Sequence, residues 1–131
     1  MTNKLYPKGK EKLLSGQISL TGDTIKLALV DLADYTYSDA HEFISDVPSA
    51  ARESAVTLTG KTVTNGVFSA SNPTFSAVTG DPAEAIVIYK DTGTESTSPL
   101  LCFIDNAGSM SVTPNGNDIP VLIDTDGIFS I

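Results

Sequence analysis

The eight residues from Ala55 to Thr62 end in Gly60-Lys61-Thr62 and fit the permissive form of a phosphate-binding loop: Gly or Ala, four residues, then Gly-Lys-Thr. Such a loop works only between a strand and a helix, where backbone N–H groups converge on phosphate. Here Val56 to Thr59 alternates as a strand does, and the dipeptide Asn65-Gly66 follows, a strong short-range signal for a two-residue hairpin turn. A helix opening at Lys61 would run into that turn. No later apolar strand ending in Asp sits in a βαβ setting to hold magnesium. The segment is therefore expected to be a β-hairpin, and no nucleotide or other cofactor is expected.

The other residues that could do chemistry are few. His41 is the only histidine, and no Gly-x-Ser-x-Gly elbow exists to pair with it. It falls in a polar stretch, where a surface or capping role is expected. Asp124-x-Asp126-Gly127 looks like part of a calcium loop, but such a loop needs a bidentate Glu about six residues after its glycine. The sequence ends at Ile131, so a turn is expected there and no metal. The single cysteine, Cys102, lies in the apolar run Leu100 to Ile104 with no basic neighbour, the setting of a small buried hydrophobe. No carboxylates pair inside an apolar strand as a glycosidase would need. No catalytic residue is expected, and the chain is read as a structural or binding protein rather than an enzyme.

The elements that would hold these residues are mostly strands. At 131 residues the chain is long enough for one real core. No apolar run approaches the roughly 18 residues that cross a bilayer, and no apolar stretch suits a signal peptide, so neither membrane insertion nor secretory export is expected. Pro7 to Ser15 reads as a short helix, with Pro in the first turn and Gly16 to end it, weakened by Gly9. From Gln17 the period becomes two. Strands are predicted at Ile18–Leu20, Thr24–Asp31, Val56–Thr59, the hairpin about Asn65-Gly66, Pro73–Val78, Ala85–Tyr89, Leu100–Asp105, Ile119–Asp124 and Ile128–Ile131. Ala85–Tyr89 is apolar on both sides and expected to be central, and Pro120 marks an edge. Between them, Leu32 to Arg52 reads as a long loop with one helical turn over Ser38–Ile44. The loop from Lys90 to Pro99 is polar and mobile by composition. This describes a mainly β protein, an antiparallel β-sandwich or barrel with one short N-terminal helix. Residues 1–16 form a basic helical arm, and 17–131 a single β-sandwich domain.

Charge divides along the same line. The net charge is −8, which argues against nucleic acid as a partner. Yet four of the eight basic residues, Lys4, Lys8, Lys10 and Lys12, lie in the first twelve positions beside Glu11 alone. The remainder carries 4 basic and 15 acidic residues, a net −11. Such an arm suits an acidic surface on another protein, or serves simply as a solubilising end. Lys4, Lys8, Lys10 and Lys12, with Leu5 and Tyr6, are the candidate partner-binding residues.

Several blocks together resemble a family of small virion-associated proteins of tailed bacteriophages. They are Leu5-Tyr6-x-Lys8-Gly9-Lys10, the run Asp23 to Asp31, His41 to Pro48, Leu58 to Thr62, Glu84 to Gly93, and Thr113 to Ile119. Where that family tends to place a tryptophan, this chain has Val121-Leu122-Ile123. The resemblance implies a virion part made in the host cytoplasm, without catalytic residues. The expectation drawn from it is a capsid decoration, or cement, protein that bridges major capsid protein subunits as a small oligomer, a dimer or trimer. A tail or head-to-tail (neck) component is the nearest alternative. A carbohydrate-binding adsorption module is a third, disfavoured because the chain has no tryptophan and only four tyrosines.

Overall fold

The computed structural model of the chain describes residues 2–80, 83–105, 115–121 and 127–130, with side chains for all of these but 2, 3, 105 and 130. The Asp124-x-Asp126 pair and the far end of the strand expected at Ile119–Asp124 lie outside the described residues. So do Asp81, Pro82 and residues 106–114.

The fold is mainly antiparallel β. Its centre is a five-stranded sheet built from β1 (Thr2–Leu5), β2 (Ile25–Val30), β3 (Arg52–Thr57), β7 (Ala85–Lys90) and β8 (Leu100–Asp105). Their spatial order is β1-β8-β7-β2-β3, so β7 and β2 lie inside the sheet. A second sheet has β4 (Thr62–Thr64), β5 (Val67–Ser69) and β10 (Phe129–Ser130), and a ribbon pairs β6 (Thr74–Phe75) with β9 (Ile119–Pro120). The layers stack like a sandwich, and the large sheet does not close into a barrel.

Period-two alternation explains how both faces of the large sheet are used. Ile25, Leu27 and Leu29 of β2, with Ile86 and Ile88 of β7, meet Leu58, Phe68 and Phe75 from the small-sheet side. Ala28, Val30, Val87 and Phe103 point the other way, onto Tyr6, Tyr35, Ile44 and Val47. The loop between β2 and β3 thus serves as the second cover, which is why β7 reads as apolar on both sides. One irregularity orders the sheet. Ile88 pairs with Cys102 and Tyr89 with Leu100, leaving Leu101 as an extra residue in β8. Leu101 and Cys102 therefore both enter the first cluster, while Leu100 enters the second.

Several local expectations give way to side-chain competition. The strand expected at Ile18–Leu20 is a turn, because Asp23 accepts from the Ser19 N–H at 2.8 Å and Ser19 Oγ from the Gly22 N–H at 3.1 Å. Ile18 is buried nonetheless. Strand β6 stops at Phe75 because Ala77 turns to φ 47° and gives its N–H to Asp118 at 2.8 Å. In the long loop the helical turn forms at Ile44–Asp46 rather than over Ser38–Ile44. The Asp46 carboxylate sets it by accepting from the N–H groups of Glu42 and Phe43 at 2.8 and 3.2 Å.

The N-terminal helix α1 (Pro7–Leu14) stands where the sequence places it, and Gly16 at φ 81° closes it. There the Gln17 N–H reaches Lys12 O at 2.9 Å and the Gly16 N–H reaches Leu13 O at 3.3 Å, a Schellman ending. The residues before it are not helical arm. Thr2–Leu5 pairs with Asp105–Cys102 as the edge strand β1.

Candidate functional site

The N-terminal segment carries half of the chain's basic residues, and the fold decides which of them face outward. The β8 bulge makes the anchor: Leu101 O accepts from the Tyr6 N–H at 2.9 Å, where strand gives way to helix. One turn on, a Cβ at Gly9 would lie 2.3 Å from Leu100 O and 3.0 Å from Leu101 Cα. Glycine alone permits this approach, so Gly9 fastens the helix to the sheet at a position the sequence shows only as a weak helix former.

The six expected residues then separate. Tyr6 is 0% exposed and belongs to the core, and Leu5 packs against the first cluster. Lys12 turns inward to Glu42 Oε2 at 2.6 Å, with its ammonium 5.3 Å from the Phe43 ring centroid. Lys4 is exposed, but its ammonium lies 5.3 Å from the Tyr37 ring centroid. Lys8 and Lys10 are exposed and form no ion pair among the described residues. With Pro7, Glu11 and Leu14 they make the solvent face of α1, and Leu14 is 78% exposed. The chain's remaining cations are engaged: Lys26 with Asp91 at 3.2 Å, Arg52 with Glu95 at 2.9 Å, Lys90 with Asp23 at 3.2 Å, and Lys61 with Asp23 O.

Beneath α1 lies a group that sequence spacing did not reveal. The Tyr6 and Tyr35 hydroxyls are 2.7 Å apart, and Tyr35 Oη is 2.8 Å from His41 Nδ1. The Tyr37 ring packs tilted against Tyr6 and Phe103, with centroids 4.9 and 5.2 Å away, and its hydroxyl donates to Asp39 at 2.6 Å. Burial pushes the Tyr6 phenol well above its ordinary range and Tyr35 up to about 12, so both stay protonated at neutral pH. Tyr35 thus ties the β2–β3 loop to Tyr6 of the N-terminal segment, and His41 braces the Tyr35 hydroxyl from within the loop. The clue was the presence of three of the four tyrosines in two short stretches, but nothing in sequence linked residue 6 to residue 35.

A second unheralded feature is a cleft of about 310 Å³ where β2, β3 and β7 meet the loop after β7. Lys26, Arg52, Tyr89, Asp91, Glu95 and Ser98 line it. The loop expected to be mobile is knit together: Ser98 Oγ accepts from the Thr92 N–H at 3.0 Å and donates to Thr94 O at 2.7 Å.

The nucleotide-like motif is a hairpin, as expected. Strand β4 follows Lys61 directly, and Asn65 and Gly66 carry φ of 52° and 79°, both positive as a type I′ turn requires. Gly60 is explained by its backbone, since φ of 61° lies in the left-handed region that favours glycine. Cys102 is buried, and burial pushes its thiol up to about 12, leaving it unreactive. Among the described residues no three His, Cys, Asp or Glu side chains converge as metal ligands, and no helix is long and apolar enough to cross a membrane. No protein-family model matches the chain, and no curated protein is significantly similar to it.

Proposed function

We propose that the chain is a structural protein of a bacteriophage virion, a capsid decoration protein that bridges and stabilises major capsid protein subunits. It would work as a small homo-oligomer and act through surfaces rather than catalysis. The observation that supports this most is the outward face of α1. Among the described residues Lys8 and Lys10 form no ion pair, whereas the other cations are engaged, and they share the solvent face of α1 with the exposed Leu14 on a helix that Gly9 fixes to the sheet. An exposed apolar side chain and two exposed lysines on one face of a helix held to a rigid body suit a partner surface that offers acidic groups beside an apolar contact. The blocks that resemble virion-associated proteins supply the choice of partner, the major capsid protein.

The experiment uses the full chain and shells stripped of it. The double variant Lys8→Glu, Lys10→Glu should keep the wild-type circular dichroism and lose at least about tenfold in binding to shells. Wild-type binding should weaken as salt shortens the screening length below about 10 Å. Decoration by the double variant at wild-type level would refute attachment through α1. Copy number separates locations: hundreds per particle mark a shell protein, and a dozen or fewer mark a neck or tail component.

A further inference from the structure

We propose that the cleft between β2, β3, β7 and the 91–98 loop is a binding site for a neutral saccharide unit. This goes beyond attachment to a particle, does not depend on it, and rests on polar contacts rather than on the ring stacking for which the chain has few aromatics. The cleft's two ion pairs, Lys26 Nζ to Asp91 Oδ2 at 3.2 Å and Arg52 Nη2 to Glu95 Oε1 at 2.9 Å, place donors beside acceptors with no net charge. An anion drawn to Lys26 or Arg52 would face the carboxylate already paired there, and a cation would face the reverse. An apolar ligand would strip water from four charges without replacing it. A hydroxyl suits such a pair, because it donates to the carboxylate and accepts from the cation at once. A ligand carrying several hydroxyls on one small ring repeats that fit along the cleft.

The wall is built before any ligand arrives. The Arg52 Nε–H donates to Val47 O at 3.0 Å, which fixes the guanidinium. Asp91 Oδ1 accepts from the Gly93 N–H at 3.0 Å, and the Ser98 hydroxyl holds the two limbs of the loop together. The Gly93 N–H, and then Lys26, hold the Asp91 carboxyl below its ordinary range, and Arg52 does the same for Glu95. Both are acceptors at neutral pH. Burial raises the Tyr89 phenol, so it remains a donor on an aromatic ring. A volume of about 310 Å³ is at the small end of ligand pockets and suits one sugar ring better than a chain of them.

The test is a ¹H–¹⁵N NMR titration of the full chain with D-glucose, D-galactose and N-acetyl-D-glucosamine, each to about 100 mM, with inorganic phosphate in parallel; a ligand of this size binds with a Kd on the order of millimolar. At least one sugar should shift the amides of Arg52 and of residues 91–98 saturably. Glu95→Ala should weaken that binding about tenfold while leaving the remaining spectrum in place, because it removes a charge-assisted acceptor. Should that variant lose its fold, Glu95→Gln keeps the shape without the charge and is read the same way. Silence with all three sugars, shifts unchanged by Glu95→Ala, or phosphate binding the same amides in place of sugar would each overturn the proposal.

Discussion

Gly9 is the residue whose role changes most between sequence and fold. In an isolated helix, replacing an interior glycine by alanine stabilises by roughly 1 kcal/mol. Here the new methyl would meet the Leu100 carbonyl, a backbone atom that cannot swing away, at 2.3 Å. Gly9→Ala should therefore destabilise by about 1–3 kcal/mol, read as a lower urea midpoint at unchanged slope. A higher midpoint would mean that the helix stands off the sheet. Cys102 makes a complementary prediction. Buried at the β8 bulge with its thiol pushed up to about 12, it should resist thiol reagents in the native state and react only on unfolding. Its neighbours across β7 should be costly to truncate, about 2–5 kcal/mol for Ile88→Ala. Rapid native labelling of Cys102 would contradict the strand order.

At the scale of elements, β1 and α1 act as one strap across β8. The strand pairs four residues, the bulge turns the chain at Tyr6, and the helix returns over Leu100 and Leu101. Removing residues 1–14 would not merely trim a charged end. It would expose the edge of β8, take the fully buried Tyr6 from the second core cluster, and leave the Tyr35 hydroxyl without one of its two partners. The truncated chain should lose several kcal/mol, about 2–5 from Tyr6 alone, and unfold at clearly lower urea than the intact chain. Unfolding at the same midpoint would show the strap to be a loose appendage. For that reason the attachment surface is tested with charge reversals on the solvent face, which leave the strap in place.

For the whole molecule, carboxylates that fasten loops set the response to acid. Asp23 is held below its ordinary range mainly by the Ser19 N–H, Asp46 by the Glu42 N–H and Asp91 by the Gly93 N–H. A depressed folded-state pKa means that the unfolded chain binds protons first as pH falls. The stabilisation is thus complete above the unfolded carboxylate range and drains away below it, from about pH 4 downward. Urea midpoints should be nearly level between pH 5 and 7 in respect of these groups, then drop below about pH 4. Asp46→Asn should lower the plateau and flatten part of the acid limb. A chain whose stability held level down to pH 2 would show that these caps contribute nothing.

The sequence by itself determined the class of fold, because alternation and turn chemistry are local. Ile25, Leu27 and Leu29 could form only a strand with an apolar face, Asn65-Gly66 only a tight hairpin, and Ala85–Tyr89 only a strand covered on both sides. It also determined that Lys61 opens a strand and not a phosphate-binding helix. Tertiary structure alone decided which charges are spent. Lys12 and Lys10 differ little in sequence, yet one meets Glu42, thirty residues away, and the other meets solvent. The same holds for Tyr6, Tyr35 and His41, and for the cleft that joins Lys26 and Arg52 to Asp91 and Glu95. Each of these contacts closes a loop of many residues, and a long closure depends on sheet order and on one extra residue in β8. No local preference encodes either of them, so the body of the protein was legible in its sequence and its surface was not.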